Sequence, residues 1–292
     1  MVLLTGSGPL DRDESIAGVR PFRVLRHELA ARGFAAVSWD DRGVGESTGD
    51  YLATDDSELA SDVGAVVGFI RRRLPETPVV LAGHSQGALI AARVADTIAL
   101  DGLVLMAGAF RPGRQVLESQ HRRICETEGW TIEDIESSLA FKRECFDVLE
   151  SYHVRLDEKT DSAMRAELRR VADRWGMDEG EASVIVEDLA EWEWRYLLRH
   201  RGEHHLSRIT CPTLLFVGDR DVQLDPVIEV DFARRQLEEG ACNDVEAVVL
   251  RDLNHLFQET SDGSLSAYPE LGEPFHARAV STLVGWLMRH FV

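Results

Sequence analysis

Six short apolar runs, each bounded by turn residues, constrain the fold of this chain more than any other feature of its sequence. They are Val2–Leu4, Ala35–Trp39, Val79–Ala82, Leu103–Met106, Thr213–Val217 and Val245–Leu250. Continuous apolar runs of this length are typical of strands that are buried on both faces of a parallel sheet. The helical patterns between and after them are Pro21–Arg32, Asp56–Leu74, Ala88–Thr97, Pro226–Leu237 and Phe275–Arg289. This alternation predicts an α/β fold with a doubly wound, mostly parallel sheet.

A long segment from Pro112 to Ser207 interrupts this alternation. It has no strand pattern, it is rich in charged and helix-forming residues, and it contains most of the tryptophans of the chain: Trp130, Trp175, Trp192 and Trp194. We interpret residues 112–207 as a helical cap over the carboxyl edge of the sheet, and residues 1–111 and 208–292 as the α/β core. The alternative is a separate helical domain that takes no part in a functional site.

The charge and the cysteines of the chain limit its partners and cofactors. There are 51 acidic and 32 basic side chains, which give a formal charge of −19. Such a surface repels nucleic-acid phosphates and anionic membranes, so neither is an expected partner. The four cysteines are scattered without a C-x-x-C pair, which favours reduced thiols and predicts no metal or other cofactor. With no 18-residue apolar stretch and no signal-peptide pattern at Met1–Gly6, we expect a cytoplasmic location.

The pentapeptide Gly83–Gly87 matches G-x-S-x-G and lies between a predicted strand and a predicted helix. A nucleophilic serine on a strand-to-helix turn requires this setting. The tight turn projects the Ser85 hydroxyl above the sheet, and the glycines two residues away on either side remove side chains that would collide there. The N-terminus of the following helix favours negative charge near the serine. We therefore predict Ser85 as a nucleophile and expect His84 to point away from the site; a structural turn is the alternative.

A nucleophilic serine needs a base and an acid, which in this arrangement follow in the chain order Ser, Asp or Glu, then His. Gly218–Asp221 follows the fifth apolar run and Leu253–Gln258 follows the sixth, so both lie where open α/β sheets bind ligands. We predict Asp221 as the acid, because a turn that begins at Gly218 projects the later residue inward, and His255 as the base. The residues that compete for these roles are Asp219, Asp225 and His276.

Two further segments follow the first two apolar runs. Thr5–Pro9 is placed so that the backbone N–H groups of Ser7 and Gln86 would converge on a substrate carbonyl oxygen. A phosphate-binding loop is the weaker interpretation, because the segment lacks the P-loop lysine and a helix after its last glycine. Asp40–Ser47 is interpreted as a brace in which an Asp/Arg pair locks a tight turn.

Together these segments resemble the α/β-hydrolase superfamily over essentially the whole chain and, within it, a bacterial esterase/serine aminopeptidase-like subgroup. The stretches that carry the resemblance are Gly6–Glu14, Asp41–Ser47, Gly83–Gly87 and Leu253–Gln258. The resemblance implies Ser85 as nucleophile, Asp221 as acid and His255 as base, with Ser7 and Gln86 as oxyanion donors and no cofactor.

The sequence departs from the superfamily pattern at its N-terminus. The usual sheet has two further strands ahead of the oxyanion loop, whereas Met1 here lies only a few residues before that loop. An edge of the sheet that lacks these strands would be exposed, which favours a homodimer. The cap is long and idiosyncratic, so the resemblance implies no substrate preference.

Three functional hypotheses remain. The first is hydrolysis of a carboxylic ester or related acyl bond of a small molecule through an acyl-enzyme on Ser85, with the cap tryptophans either lining an apolar pocket or packing within the cap. The second is acyl transfer, cyclisation or peptide cleavage with the same triad; the acidic residues between Glu187 and Glu193 would suit a cationic amine, or form a solvated helix face. The third is a non-catalytic small-molecule-binding protein on a hydrolase scaffold.

Overall fold

A five-stranded parallel sheet forms the centre of the computed structural model, which describes residues 1–292. The strands are β1 (Val2–Leu4), β2 (Val80–His84), β3 (Gly102–Met106), β4 (Thr213–Gly218) and β5 (Val245–Leu250), in the spatial order β1-β2-β3-β4-β5. The first four are buried along their whole length, as their continuous apolar sequences predict, whereas β5 is an edge strand and is half-buried. The predicted parallel α/β sheet is confirmed.

The second apolar run, Ala35–Trp39, does not form the predicted full strand. It pairs with β1 in parallel at the single bridge Val2–Val37, where Leu3 N–H donates to Val37 O at 2.8 Å. Because β1 has only three residues, it offers a short ladder. The run still lies outside β1, so the chain passes outward from β1 and then returns across it to β2. This reversal is the switch in winding direction that a doubly wound sheet requires.

Helices cover both faces of the sheet. Those of the core are α1 (Pro21–Ala30), α2 (Asp56–Arg73), α3 (Gln86–Thr97), α10 (Pro226–Glu239) and α11 (Ala277–Phe291). Apolar residues of α1 and α11 share a buried cluster with one face of the sheet, while α2, α3 and α10 share another with the opposite face. A short 3₁₀ helix, Leu265–Glu270, precedes α11. Helix α3 begins at Gln86, two residues before the predicted start, so its N-terminus directly follows Ser85.

Six helices form the segment between β3 and β4. They are α4 (Gly113–Thr127), α5 (Ile132–Ser151), α6 (Glu158–Arg174), α7 (Glu179–Ala190), α8 (Trp192–Arg199) and α9 (Glu203–Leu206). Helices α4 to α8 contribute to a separate hydrophobic cluster that includes Phe146, Leu149 and Leu168. We refer to residues 112–207 as the cap segment. No helix of the chain has an apolar stretch long enough to cross a membrane.

Candidate active site

Ser85 lies on a strained turn between β2 and α3. Its φ is +53°, a left-handed conformation that non-glycine residues rarely adopt outside functional sites. The turn is held at its start by a hydrogen bond from Ser85 N–H to Met106 O at 2.9 Å. A Cβ at Gly83 would collide with the Gly87 backbone, and one at Gly87 would collide with the carbonyl oxygens that end β1. Both glycines are therefore required by backbone contacts, as a tight strand-to-helix turn demands.

Asp221 and His255 lie together at the carboxyl ends of β4 and β5. His255 Nδ1 is 2.6 Å from Asp221 Oδ2, and both side chains are buried, with Asp221 fully enclosed. The second Asp221 oxygen accepts backbone N–H groups of Gln223 at 2.8 Å and Leu224 at 3.3 Å. These bonds fix the carboxylate, so that Nδ1 carries the proton and Nε2 is left as the basic nitrogen.

Hydrogen bonds between Asn254 and Gln258 close the loop that presents His255. The side chain of Asn254, fully buried, accepts backbone N–H groups of Leu256 at 3.0 Å and Gln258 at 2.9 Å. Its amide also donates to the Gln258 side chain at 3.0 Å. Gly218 lets this loop approach β4, because a Cβ there would collide with the Leu253 backbone. The His255 main chain is thus held by buried hydrogen bonds on both sides of it.

The structure brings Ser85 and His255 to the same edge of the sheet without a direct hydrogen bond between them. His84, the residue before Ser85, contacts His255 with ring centroids 4.9 Å apart. The hydrogen bond of the His255 ring is the one to Asp221, and Nε2 has no partner in the chain. Hydrogen bonds from a nucleophile to its base are often long before substrate binds.

The three residues that compete in sequence for the acid and base roles have other partners. Asp219 accepts the backbone N–H of Asp252 at 2.6 Å. Asp225 caps the N-terminus of α10, and His276 caps the N-terminus of α11. None of the three contacts the Asp221–His255 pair through a hydrogen bond.

The two backbone N–H groups predicted as oxyanion donors, those of Ser7 and Gln86, make no hydrogen bond within the chain. The Ser7 N–H donates no hydrogen bond within the chain, although its neighbours on both sides do: Gly6 N–H donates to Glu14 at 2.8 Å and Gly8 N–H to Glu193 at 3.0 Å. Gln86 is the first residue of α3, so its N–H has no intrahelical acceptor. The positive end of the α3 dipole adds to the field at this point.

Sequence reasoning assigned no role to the buried pair Glu14–His84. His84 was expected to point away from the site, but its ring lies beneath it: Nδ1 is 2.8 Å from Glu14 Oε1, and Nε2 is 2.9 Å from the carbonyl oxygen of His255. The two residues are among the most enclosed polar residues of the core, at 1% and 3% exposure. Both occur in stretches that carry the family resemblance, which was the only available signal, because a contact across 70 residues leaves no local pattern.

The loop Asp40–Ser47 is held by ion pairs to other segments and not by the predicted pair within the loop. Arg42 does not pair with an aspartate of its own loop; it binds Asp62 on α2 with Nε at 2.6 Å from Oδ2. Asp40 instead binds Arg12 at 2.6 Å. The predicted Asp/Arg lock within the turn is therefore wrong, because Arg42 is long enough to reach α2 and does so. The loop fixes the segment after β1 against the core.

Asp41 faces a small cavity of about 30 Å³ beside Gln86 and Tyr51. One carboxyl oxygen accepts the Thr5 hydroxyl at 3.1 Å and the Leu10 N–H at 3.0 Å. Burial raises the pKa of Asp41 to about 6 in spite of these bonds. Across the cavity the Gln86 side-chain nitrogen is buried without a hydrogen-bond partner.

The cap segment contacts both loops of the site. Glu193 on α8 accepts hydrogen bonds from Gly8 N–H at 3.0 Å and from the Tyr51 hydroxyl at 2.7 Å. Arg123 on α4 donates to the backbone carbonyl of Asp221 at 2.9 Å. The acidic stretch around Glu193 is therefore not a uniformly solvated face, because Glu193 is hydrogen-bonded to Gly8 and Tyr51 while Glu187 is exposed.

The four cap tryptophans do not share one environment. Trp192 is buried against Tyr51, with ring centroids 5.9 Å apart, and Trp194 packs on Phe146. Trp130 and Trp175 are exposed and line an open depression within the cap segment. Of the two alternatives for these tryptophans, packing within the cap describes Trp194, and the four do not line one common pocket. No group of three or more His, Cys, Asp or Glu side chains is arranged to hold a metal ion.

The sequence of the chain also matches known proteins. The family model described as serine aminopeptidase, S33, matches residues 20–260. The chain is 26% identical over 257 residues to Esterase EstD of Thermotoga maritima, covering 88% of this chain and 54% of that protein, so it spans about half the length of this curated relative.

Solved structures show the same fold. An esterase of Pyrococcus furiosus superposes with a TM-score of 0.60 at 17% identity, covering 100% of this chain and 81% of the other. A monoacylglycerol lipase of Paleococcus ferrophilus superposes with a TM-score of 0.52 at 21% identity, covering 99% and 93%. The predicted α/β-hydrolase fold is confirmed.

Proposed function

Because the chain belongs to the serine aminopeptidase S33 family of α/β hydrolases, we propose that it is a serine hydrolase that cleaves carboxylic esters. The observation that supports this most strongly is the site itself: Ser85 on a strained turn after β2, beside an Asp221–His255 pair at 2.6 Å. A site for binding alone has no need of a positive-φ serine and a buried, oriented imidazole at the same sheet edge. Esterases among the similar proteins favour an ester as the bond that is cleaved.

In the proposed first step, His255 Nε2 takes the Ser85 proton while the serine oxygen attacks the ester carbonyl carbon. The new C–O bond pushes the carbonyl electrons onto oxygen, and the Asp221 carboxylate stabilises the resulting imidazolium through Nδ1. His255 then returns the proton to the departing alcohol, which leaves an acyl group on Ser85. Water attacks this acyl-enzyme by the same sequence, releasing the acid and restoring the serine.

The proposed oxyanion site consists of the Ser7 and Gln86 N–H groups. Both are unpaired within the chain. Gln86 follows Ser85 directly, and Gly6, the residue before Ser7, lies against the Ser85 side chain. Two fixed donors of this kind stabilise the negative oxygen more than the neutral carbonyl, because the charge develops only in the transition state.

We assign the cap segment the role of closing the site. Its contacts through Glu193 and Arg123 reach the two loops that carry Ser7 and Asp221. A cap in this position excludes bulk water and shapes the acyl pocket, so the length of the preferred acyl chain reports the space beneath it.

The test is hydrolysis of p-nitrophenyl esters of increasing acyl length by the wild type and by the variants Ser85→Ala and His255→Ala. We expect kcat to fall about 10⁴-fold or more in both. His276→Ala is the matched control, because the His276 side chain caps α11 and makes no hydrogen bond to Asp221 or His255, so its loss should leave kcat within about threefold of wild type. A fluorophosphonate that labels Ser85 reports the nucleophile independently of substrate choice. Absence of both ester turnover and labelling contradicts the proposal, whereas labelling with acyl transfer to an added alcohol in place of hydrolysis identifies an acyltransferase.

A further inference from the structure

Glu14 combines three features that a residue of a surface loop does not need. Its φ is +55°, its side chain is 1% exposed, and one of its carboxyl oxygens is buried without a hydrogen-bond partner. Each feature is unfavourable for folding, because a left-handed glutamate is strained and a buried carboxylate loses its hydration. The compensation comes from the other oxygen, Oε1, which accepts the Gly6 N–H and lies against His84 Nδ1.

The partners of His84 fix its protons. Nδ1 faces the Glu14 carboxyl group at 2.8 Å, and Nε2 faces the carbonyl oxygen of His255 at 2.9 Å. A carbonyl oxygen can only accept, so Nε2 must carry a proton for this contact to be a hydrogen bond. The second ring nitrogen then either donates to a Glu14 carboxylate, which makes His84 an imidazolium, or accepts from a protonated Glu14.

The groups around His84 favour the imidazolium form of its ring. Oε1 of Glu14 also accepts the Gly6 N–H, and this bond is stronger when the acceptor is an ionised carboxylate. The ionisable side chains nearest the pair are Asp221 and His255 on the side of the triad and Asp41 on the side of the neighbouring loop. Burial alone would lower the pKa of His84, but the charge and hydrogen bond of Glu14, the His255 carbonyl and the charge of Asp221 outweigh it and raise the pKa.

We propose that Glu14 and a doubly protonated His84 form a positioning pair that joins the loop after β1 to the main chain of His255. The proposal rests on the proposed serine mechanism, in which the same two segments supply the Ser7 N–H and the basic nitrogen. Glu14 holds the Gly6 N–H, which sets the direction of the next peptide, and His84 holds the carbonyl of the residue whose ring takes the proton. One buried ion pair thus fixes the distance between oxyanion donor and base.

The charge state of the His84 ring can be measured directly by NMR. In protein labelled with ¹⁵N in its ten histidine rings, long-range proton–nitrogen correlation distinguishes a protonated ring nitrogen from a bare one. The His84 ring, assigned with His84→Gln or with His84→Asn where the first does not fold, should show two protonated nitrogens at neutral pH, where an ordinary histidine carries one. A bare Nδ1 in the wild type at neutral pH overturns the proposal, and this measurement requires no folded Glu14 variant.

The variant Glu14→Gln tests the coupling. The carboxamide carries no charge to hold a second ring proton, so His84 should become neutral and keep a single ring proton. The control is Glu229→Gln, which removes a carboxylate of equal burial on α10 and should leave both His84 ring protons in place.

Kinetics separate a positioning role from a structural one. Glu14→Gln should lower kcat about tenfold to a hundredfold while KM stays within about threefold, since the ground-state pocket is unchanged and only the alignment of base and oxyanion donor suffers. An unaltered kcat in a variant whose His84 is neutral overturns the positioning role. Failure of the serine mechanism itself gives a different result: the wild type shows neither ester turnover nor labelling of Ser85, whatever the His84 ring reports.

Discussion

The backbone N–H of Gly8, in the loop after β1, donates a hydrogen bond to the carboxylate of Glu193, 185 residues later in the cap segment. Two positions earlier, the Gly6 N–H donates to Glu14, so the Ser7 N–H lies between two N–H groups that are already bound. Because these two hydrogen bonds fix the peptides on either side, the free Ser7 N–H is held in a defined direction. A residue of the cap thereby helps to set the geometry of the proposed oxyanion site.

Replacing Glu193 should therefore reduce catalysis although its side chain makes no proposed contact with the ester. Glu193→Ala removes the acceptor of both the Gly8 N–H and the Tyr51 hydroxyl, and we expect kcat/KM for p-nitrophenyl esters to fall about tenfold to a hundredfold. Glu187→Ala is the control, because this exposed cap residue pairs only with Arg165 on the surface. Equal activities of the two variants would exclude a role of the cap in shaping this loop.

Asp221 and Asp219 are two residues apart, and their substitutions should have very different effects. Asp221→Asn keeps the shape of the side chain but can no longer select the His255 tautomer or stabilise the imidazolium. The analogous change in chymotrypsin-like proteases lowers kcat about 10⁴-fold, and we expect a loss of the same order here, measured on p-nitrophenyl esters.

Asp219→Asn is the matched comparison. Asp219 accepts only the Asp252 N–H among backbone groups and is half-exposed, so kcat should change less than about threefold. Steady-state kinetics of both variants decide the assignment. A larger loss in Asp219→Asn than in Asp221→Asn would mean that the acid had been wrongly chosen.

Local patterns predicted the parts of this molecule that depend on local physics. Strands such as Leu103–Met106 are continuous apolar runs because they are buried on both faces, and that burial is visible in sequence. Gly83 and Gly87 are visible for a similar reason, since the turn at Ser85 excludes a side chain at either position. The parallel α/β fold followed from these features, whereas the roles of Ser85, Asp221 and His255 remain predictions with a supporting geometry.

Contacts between distant segments could not be predicted in the same way. Glu14 meets His84 across 70 residues and Glu193 meets Gly8 across 185 residues, and neither pair has a spacing that a helix or strand would impose. Arg42 illustrates the opposite error, because an aspartate next to it in sequence suggested a local pair, whereas its fork of N–H groups binds Asp62 on a separate helix. Long side chains choose partners by tertiary proximity, which a single sequence does not contain.

The turn at Ser85 should not tolerate a methyl group at its final glycine. In Gly87→Ala the new Cβ would overlap the backbone carbonyls of Leu4 and Thr5, and a backbone cannot move aside as a flexible side chain can. We expect a loss of about 3 kcal/mol or more in the free energy of unfolding, measured by urea denaturation. Gly272→Ala is the control, because no atom lies near its Cβ position. If both variants unfold at the same urea concentration, the close approach of α3 to β1 is incorrect.

His200 should make the free energy of unfolding depend on pH. It is buried at the end of α8 between Phe110 and Tyr196, and burial, assisted by the nearby His205, Arg201 and His204, lowers its pKa from 6.5 to about 3. Below pH 6.5 the unfolded chain therefore binds a proton that the folded chain does not, and the free energy of unfolding falls as the pH falls toward 3.

His200→Gln removes this titration, so the stability difference between wild type and variant should shift by about 2 kcal/mol between about pH 7 and about pH 5, with the wild type losing more. Urea denaturation at a series of pH values measures the shift. His27→Gln, a substitution at an exposed histidine on α1, provides the reference for histidines that are hydrated in both states. Parallel pH profiles for the wild type and His200→Gln would show that the imidazole can be protonated within the folded protein, and the packing of α8 against the core at Phe110 would then have to be looser than its buried ring contacts imply.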